Sequence, residues 1–204
     1  MAEAHVKARA LRKESRRKES VFGERFAVFA ECMLTGVWIT VASLGVVTGP
    51  AAFAAGARHL RRRTAHEAGG LREFLTDFRT ALRRGWAVGL AWWAVAVAVQ
   101  VDVLAAQAGL PGGPFVGAVG ILALVGASVA LLRAAAVWTP GASWRALLAD
   151  AGRRTVLDPA GSFLVVCGLA VVVLSAWFVP PLAVPVLGAV AAAAVAVEKR
   201  YRHR

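Results

Sequence analysis

Three ionisable residues stand in or beside the apolar stretches of this chain: Glu31, Asp102 and Arg133. A charge in hydrocarbon costs about 2.5–3.5 kcal/mol on insertion scales, so each invites a functional reading. A carboxylate in that setting can carry a proton or hold a cation. Glu31 is the strongest of the three, because Thr35 follows one helical turn later and Trp38 two turns later on the same face. It has Arg25 and the arginines after residue 57 as candidate partners. Asp102 falls within about a turn of the end of its apolar run, where it is hydrated. Arg133 closes its run and can reach the headgroups with its long side chain. The candidate intramembrane polar set is therefore Glu31, Thr35 and Asp102.

Other chemistry is thinly represented. The sequence carries no nucleophile motif, no His-Glu-x-x-His, no phosphate-binding loop and no carboxylate pair at catalytic spacing, so it does not read as an enzyme. Cys32 and Cys167 both sit in apolar runs and read as structural thiols. His5, His59, His66 and His203 are scattered among basic residues with no ligand pattern, so no metal or cofactor is expected.

The elements that position these residues follow from composition. Hydrophobic residues make up 58% of the chain, and mean hydropathy is +0.61. Soluble domains sit nearer 45–50% apolar. The formal net charge of +12 is gathered in blocks: eight basic residues in 1–25, eight in 58–84, four in 133–154 and four in 199–204. Apolar runs of about twenty residues, the length a bilayer demands, separate the blocks. The charge therefore marks topology and not a nucleic-acid surface. Residues 1–25 do not form a convincing signal peptide, because the basic region is long and the next apolar run exceeds a signal core.

In order, the chain reads as a basic cytosolic tail (1–21), one membrane domain (22–198) and a second basic tail (199–204). Apolar segments are expected at about 22–46, 50–64, 85–106, 115–132, 160–179 and 182–197. The second is short, and Arg58 and Arg61 could extend its reach by snorkelling. Thr48-Gly49-Pro50 reads as a tight reversal, with Gly49 supplying backbone freedom and Pro50 opening the next helix. Leu110-Pro111-Gly112-Gly113-Pro114 and Pro180-Pro181 are further uncharged turns. Two amphipathic helices are expected on the cytosolic surface, at about 71–84 and 142–154. Phe74, Phe78 and Trp144 are their aromatic anchors, and Arg83, Arg84, Arg153 and Arg154 their basic rim. Trp138 reads as an interface residue. Placing every basic block inside puts both termini in the cytosol and makes the number of crossings even. The expected fold is an all-α polytopic membrane bundle of about six segments in three hairpins. Four crossings with a re-entrant second segment would keep the same parity.

Two short stretches carry a family resemblance. Thr48-Gly49-Pro50-Ala51 ends the first apolar segment, and Phe74-Leu75-Thr76-Asp77-Phe78-Arg79 precedes a later one. Over about residues 22–200 the chain resembles the YesL-type family of bacterial integral membrane proteins. That family has no established activity, but its genes often accompany binding-protein-dependent sugar uptake systems. The resemblance thus implies a protein of the bacterial inner membrane, acting as an accessory or permease-like component near a sugar permease. Two rivals remain: a self-contained solute transporter with Glu31 as its coupling carboxylate, and a scaffold that homo-oligomerises through small-residue faces. The partners expected are the lipid bilayer and membrane proteins, with no nucleic acid.

Overall fold

The computed structural model describes residues 26–202 apart from Val46, His66, Ala68, Leu110 and Pro111. The basic tail 1–21, residues 22–25 at the start of the first expected segment, and His203 and Arg204 lie outside the described residues. So do Leu110 and Pro111 of the second turn.

Seven helices account for nearly all of the described chain. They are α1 (Phe26–Ala42), α2 (Gly49–Thr64), α3 (Leu71–Gln107), α4 (Gly113–Val137), α5 (Trp144–Leu157), α6 (Pro159–Phe178) and α7 (Pro180–Arg202). Four of them, α3, α4, α6 and α7, are long and apolar enough to cross a membrane. Most of their apolar surface faces outward: Phe115, Leu122, Phe163 and Trp177 are among the most exposed side chains. In water such a surface would be an aggregation hazard; against lipid it is the normal condition.

Local sequence explains most of the boundaries. Pro50, Pro114 and Pro159 lie in the first turns of α2, α4 and α6, where the missing N–H costs nothing. Asp158 separates α5 from α6. The proline after it disfavours helical backbone, and its own carboxylate accepts the Gly161 N–H at 3.2 Å as the α6 cap. Glu73 accepts the Gly70 N–H at 2.9 Å and so ties the first turn of α3. Gly112, immediately before α4, takes a left-handed backbone at φ 78°.

Two expectations need correction. The surface helix at 71–84 and the segment at 85–106 are one continuous helix of 37 residues. Between Thr80 and Trp86 the chain changes from amphipathic to apolar, but it holds no proline and no cap. Composition changes there while the backbone does not, so residues 71–84 are the first part of α3 and not a separate element. Gly49 needs no special backbone angle, because it is the first residue of α2 and is not among the positive-φ glycines. Thr48 occupies the cap position, but its hydroxyl donates to the Gly45 carbonyl at 2.6 Å, inside the turn.

The core is built around α2. Ala51 to Ala57 are all buried, and they pack with Ile39 of α1, Ala81 of α3, Leu131 and Ala135 of α4, and Val190, Ala191 and Ala194 of α7. Alanine lets four helices approach a fifth closely. Glycine does the same elsewhere. A Cβ on Gly188 of α7 would stand 1.8 Å from the Cys32 carbonyl oxygen of α1, and one on Gly36 would stand 2.2 Å from the Val184 carbonyl oxygen. The α1–α2 turn is also in backbone contact: a Cβ on Gly89 would meet the Val47 carbonyl oxygen at 2.1 Å.

A methyl group therefore has opposite effects at two helical glycines. Gly188→Ala forces α1 and α7 apart and should lower the melting temperature in detergent by roughly 4–10 °C. Gly152 of α5 has no atom within 4 Å of its would-be Cβ. Gly152→Ala should raise the melting temperature by about 1–4 °C through helix propensity. Thermal scans of the two purified variants check both signs.

Candidate functional site

The polar groups of the bundle gather at its basic end, where the last two turns of α2 carry Arg58, His59, Arg61, Arg62 and Arg63. Each reaches another helix. Arg58 and Arg62 pair with Asp77 of α3, at 2.5 and 3.0 Å. His59 Nε2 and Arg63 Nε both meet Glu31 Oε1 of α1 at 2.7 Å. Arg61 donates to the carbonyls of Ala136 and Trp138, at the end of α4. Helix C-termini leave such carbonyls without intrahelical partners, and a guanidinium there is favoured by the helix dipole.

A second cluster joins α4, α5, α6 and α7. Arg133 is fully buried. Its Nε donates to Glu198 Oε1 at 2.7 Å, its Nη1 to Ser162 Oγ at 3.1 Å and to the Arg154 carbonyl at 3.2 Å, and its Nη2 to Asp158 Oδ2 at 3.3 Å. Arg154 donates to the other oxygen of Glu198 and pairs with Asp150 at 3.0 Å. The Tyr201 ring centroid lies 5.8 Å from Arg133 Cζ. Two buried guanidiniums thus meet two buried carboxylates, and Arg200 approaches Asp158 from the surface at 3.7 Å.

Aromatic rings fill the space beside these charges. Trp38 meets His59 edge-on at 5.0 Å and Phe74 at 5.4 Å, and Phe74 stacks on Phe78 at 6.4 Å. Trp138 and Trp144 stack at 6.5 Å. Trp144 also donates its indole N–H to the Ala81 carbonyl at 3.3 Å and packs on Gly85, whose would-be Cβ lies 2.6 Å from the indole nitrogen.

This geometry redistributes the residues singled out in the sequence. Glu31 pairs with an arginine of the second segment, Arg63, and also with His59. Thr35 is buried, but its hydroxyl donates to the Glu31 backbone carbonyl at 2.7 Å and not to the carboxylate. Asp102 is half-buried near Gly120 of α4 and shares no partner with Glu31. Phe74, Trp144 and Arg154 are buried and cannot act as exposed docking groups in this conformation; Phe78 is half-buried, while Arg83, Arg84 and Arg153 are exposed. Trp138 is buried in the core. Arg133 does not snorkel, and Arg58 and Arg61 are spent inside the bundle.

Sequence reasoning passes over His59, Asp77, Asp158 and Glu198. A signal is present for two of them. Asp77 shares a helical face with Phe74, Phe78 and Ala81, and Glu198 shares one with Ala191, Ala194 and Val197. A carboxylate on an otherwise apolar face requires a buried cation.

No protein-family model, curated protein or solved structure matches the chain. Its class rests on its own geometry. It is an all-α protein with several apolar helices of membrane-crossing length, and a layer of internally paired charges braces one end.

The Arg133 cluster yields a specific energetic expectation. Arg133→Leu takes the buried guanidinium away from Asp158 and Glu198 and should cost about 3–5 kcal/mol. Adding Asp158→Asn removes one of the two buried negative charges left behind and keeps a capping side chain for α6. The double variant should recover at least about 1 kcal/mol relative to Arg133→Leu alone, measured by denaturant unfolding in mixed micelles.

Proposed function

We propose that the chain is a multi-pass protein of the bacterial cytoplasmic membrane, with its basic end in the cytosol, serving as an accessory component of carbohydrate uptake. The transport link comes from the resemblance carried by Thr48–Ala51 and Phe74–Arg79. One observation supports an accessory role most: the basic end of α2 is tied to α1, α3 and α4 at once. A bundle braced in this way presents a fixed cytosolic surface. On that surface the first half of α3 leaves Leu71 and Leu75 exposed among Arg72, Arg79 and Arg83. These residues replace Phe74 and Trp144 as the docking face.

The topology we infer has four full crossings, α3, α4, α6 and α7. At 1.5 Å per residue, the described residues of α1 and α2 cover about 26 and 24 Å, against about 30 Å of hydrocarbon. Their turn packs at Gly89, roughly 27 Å along α3 from Gln107. The hairpin enters and returns, which keeps every basic block on one side. In a background lacking Cys32 and Cys167, Ala108→Cys should react with an impermeant maleimide added to intact cells, and Leu44→Cys should not. Equal labelling of the two would restore six crossings.

The rival, a proton-coupled transporter, has one observation in its favour. His59 is buried beside Glu31, and its Nδ1 has no partner among the described residues. One experiment separates the readings. A photo-crosslinker at Leu75 should capture a membrane permease in native membranes, and Glu31→Gln should leave solute uptake by the purified chain in proteoliposomes no different from wild type. Capture of lipid alone, together with uptake that Glu31→Gln abolishes, would reverse the assignment.

A further inference from the structure

A cavity of about 830 Å³ opens between α3, α4 and the start of α5. Its size lies within the ~300–1,000 Å³ range of small-molecule sites. One wall is Ala87, Val88, Ala91, Trp92 and Val95 of α3, and the other is Ala127 and Leu131 of α4. The alanines make it a trough. Its few polar wall groups are already engaged: Trp92 donates to Ser128 Oγ at 3.0 Å, and Ser128 donates to the Leu124 carbonyl at 2.7 Å. The mouth is different in kind. Arg84 and Arg145 stand there with Ser143, and no carboxylate lines any part of the groove.

Other exposed arginines at this end, Arg72, Arg79, Arg83 and Arg153, also lack a carboxylate partner among the described residues, but of the unpaired arginines Arg84 and Arg145 are the ones that line the groove. The buried and bracing arginines are neutralised. Arg58, Arg62, Arg63, Arg133, Arg154 and Arg200 each pair with a carboxylate. Arg84 and Arg145 are exposed and have no acidic partner among the described residues. From Arg84 to Val95 the groove runs roughly 16 Å along α3, about half the hydrocarbon thickness of a bilayer. An unpaired cationic mouth above an apolar trough one leaflet deep matches one kind of molecule: a phosphate headgroup with an acyl chain below it.

We propose that this groove is a binding site for an anionic glycerophospholipid, with the phosphate held between Arg84 and Arg145 and one acyl chain lying along Ala87, Ala91 and Ala127. The site requires the bundle to be in a membrane but does not depend on any role in transport. Trp144, buried behind the mouth and stacked on Trp138, fixes the α5 end of the groove against α3.

The test uses the full-length protein in lipid nanodiscs and in mild detergent, with phosphatidylglycerol and phosphatidylcholine of equal chain length as probes. Native mass spectrometry should show about one phosphatidylglycerol retained per chain, in preference to phosphatidylcholine. Arg84→Gln with Arg145→Gln should weaken phosphatidylglycerol retention roughly thirtyfold and leave phosphatidylcholine unchanged. Arg79→Gln with Arg153→Gln, which removes two exposed arginines outside the groove, should change retention less than about threefold. Ala91→Phe should reduce binding of both lipids, because it fills the trough and spares the mouth. Glycerol phosphate should not compete; competition by it at equal concentration would reassign the mouth to free phosphate and overturn the lipid site. Equal retention of the two lipids would also overturn it, as would equal losses in the two double-arginine variants.

Discussion

A guanidinium taken out of water must find an acceptor, and this requirement organises the structure. Five consecutive or near-consecutive basic residues end α2, and α2 is the most enclosed helix of the bundle. Desolvating them unpaired would cost more than the bundle's packing could return. They are therefore matched from three directions: His59 and Arg63 by a carboxylate on α1, Arg58 and Arg62 by another on α3, and Arg61 by the bare carbonyls at the end of α4. The matching fixes the rotation of α2 about its axis and the order of the helices around it. Alanine packing alone would leave that rotation loosely specified, since an alanine face is much the same after one residue's rotation of about 100°. Charge supplies the register and small side chains supply the proximity.

The same division explains how far the sequence can be read. Long apolar runs between basic blocks announce helices and their approximate limits, because hydrocarbon thickness and positive charge act on whole segments. The prolines announce the starts of α2, α4 and α6 for an equally local reason. Pairings between segments are harder. In sequence Arg133 looks able to escape to the surface, and nothing near it reveals that Asp158 and Glu198 close over it from 25 and 65 positions away. The continuity of α3 is hidden by the opposite effect: composition changes abruptly at Gly85, and a change of solvent reads as a change of element. Gly85 itself is there for Trp144, whose ring would collide with any larger residue.

Aromatic residues mislead for a related reason. Tryptophan beside a basic stretch usually marks a membrane interface, because its ring is apolar and its N–H is not. Here Trp144 satisfies that N–H on the Ala81 carbonyl, so the whole ring can be buried, and Trp138 stacks on it. The two rings form the apolar counterpart of the charge layer. They join α5 to α3 and α4 where few ion pairs do so, and they leave the arginines around them, Arg84 and Arg145, facing outward.

The close crossing of Gly36 and Gly188 has a consequence for biogenesis. The helix that closes over α1 and the alanine face of α2 is α7, the last of the seven to be synthesised. During synthesis the centre of the fold therefore exists before its last wall. The α1–α2 hairpin is without its α7 wall through roughly 130 residues of elongation, and Arg133 is without Glu198 until the end of α7 is made. Formation of the earlier helices and completion of the interior are separate events in this chain, and the second is timed by the ribosome reaching α7.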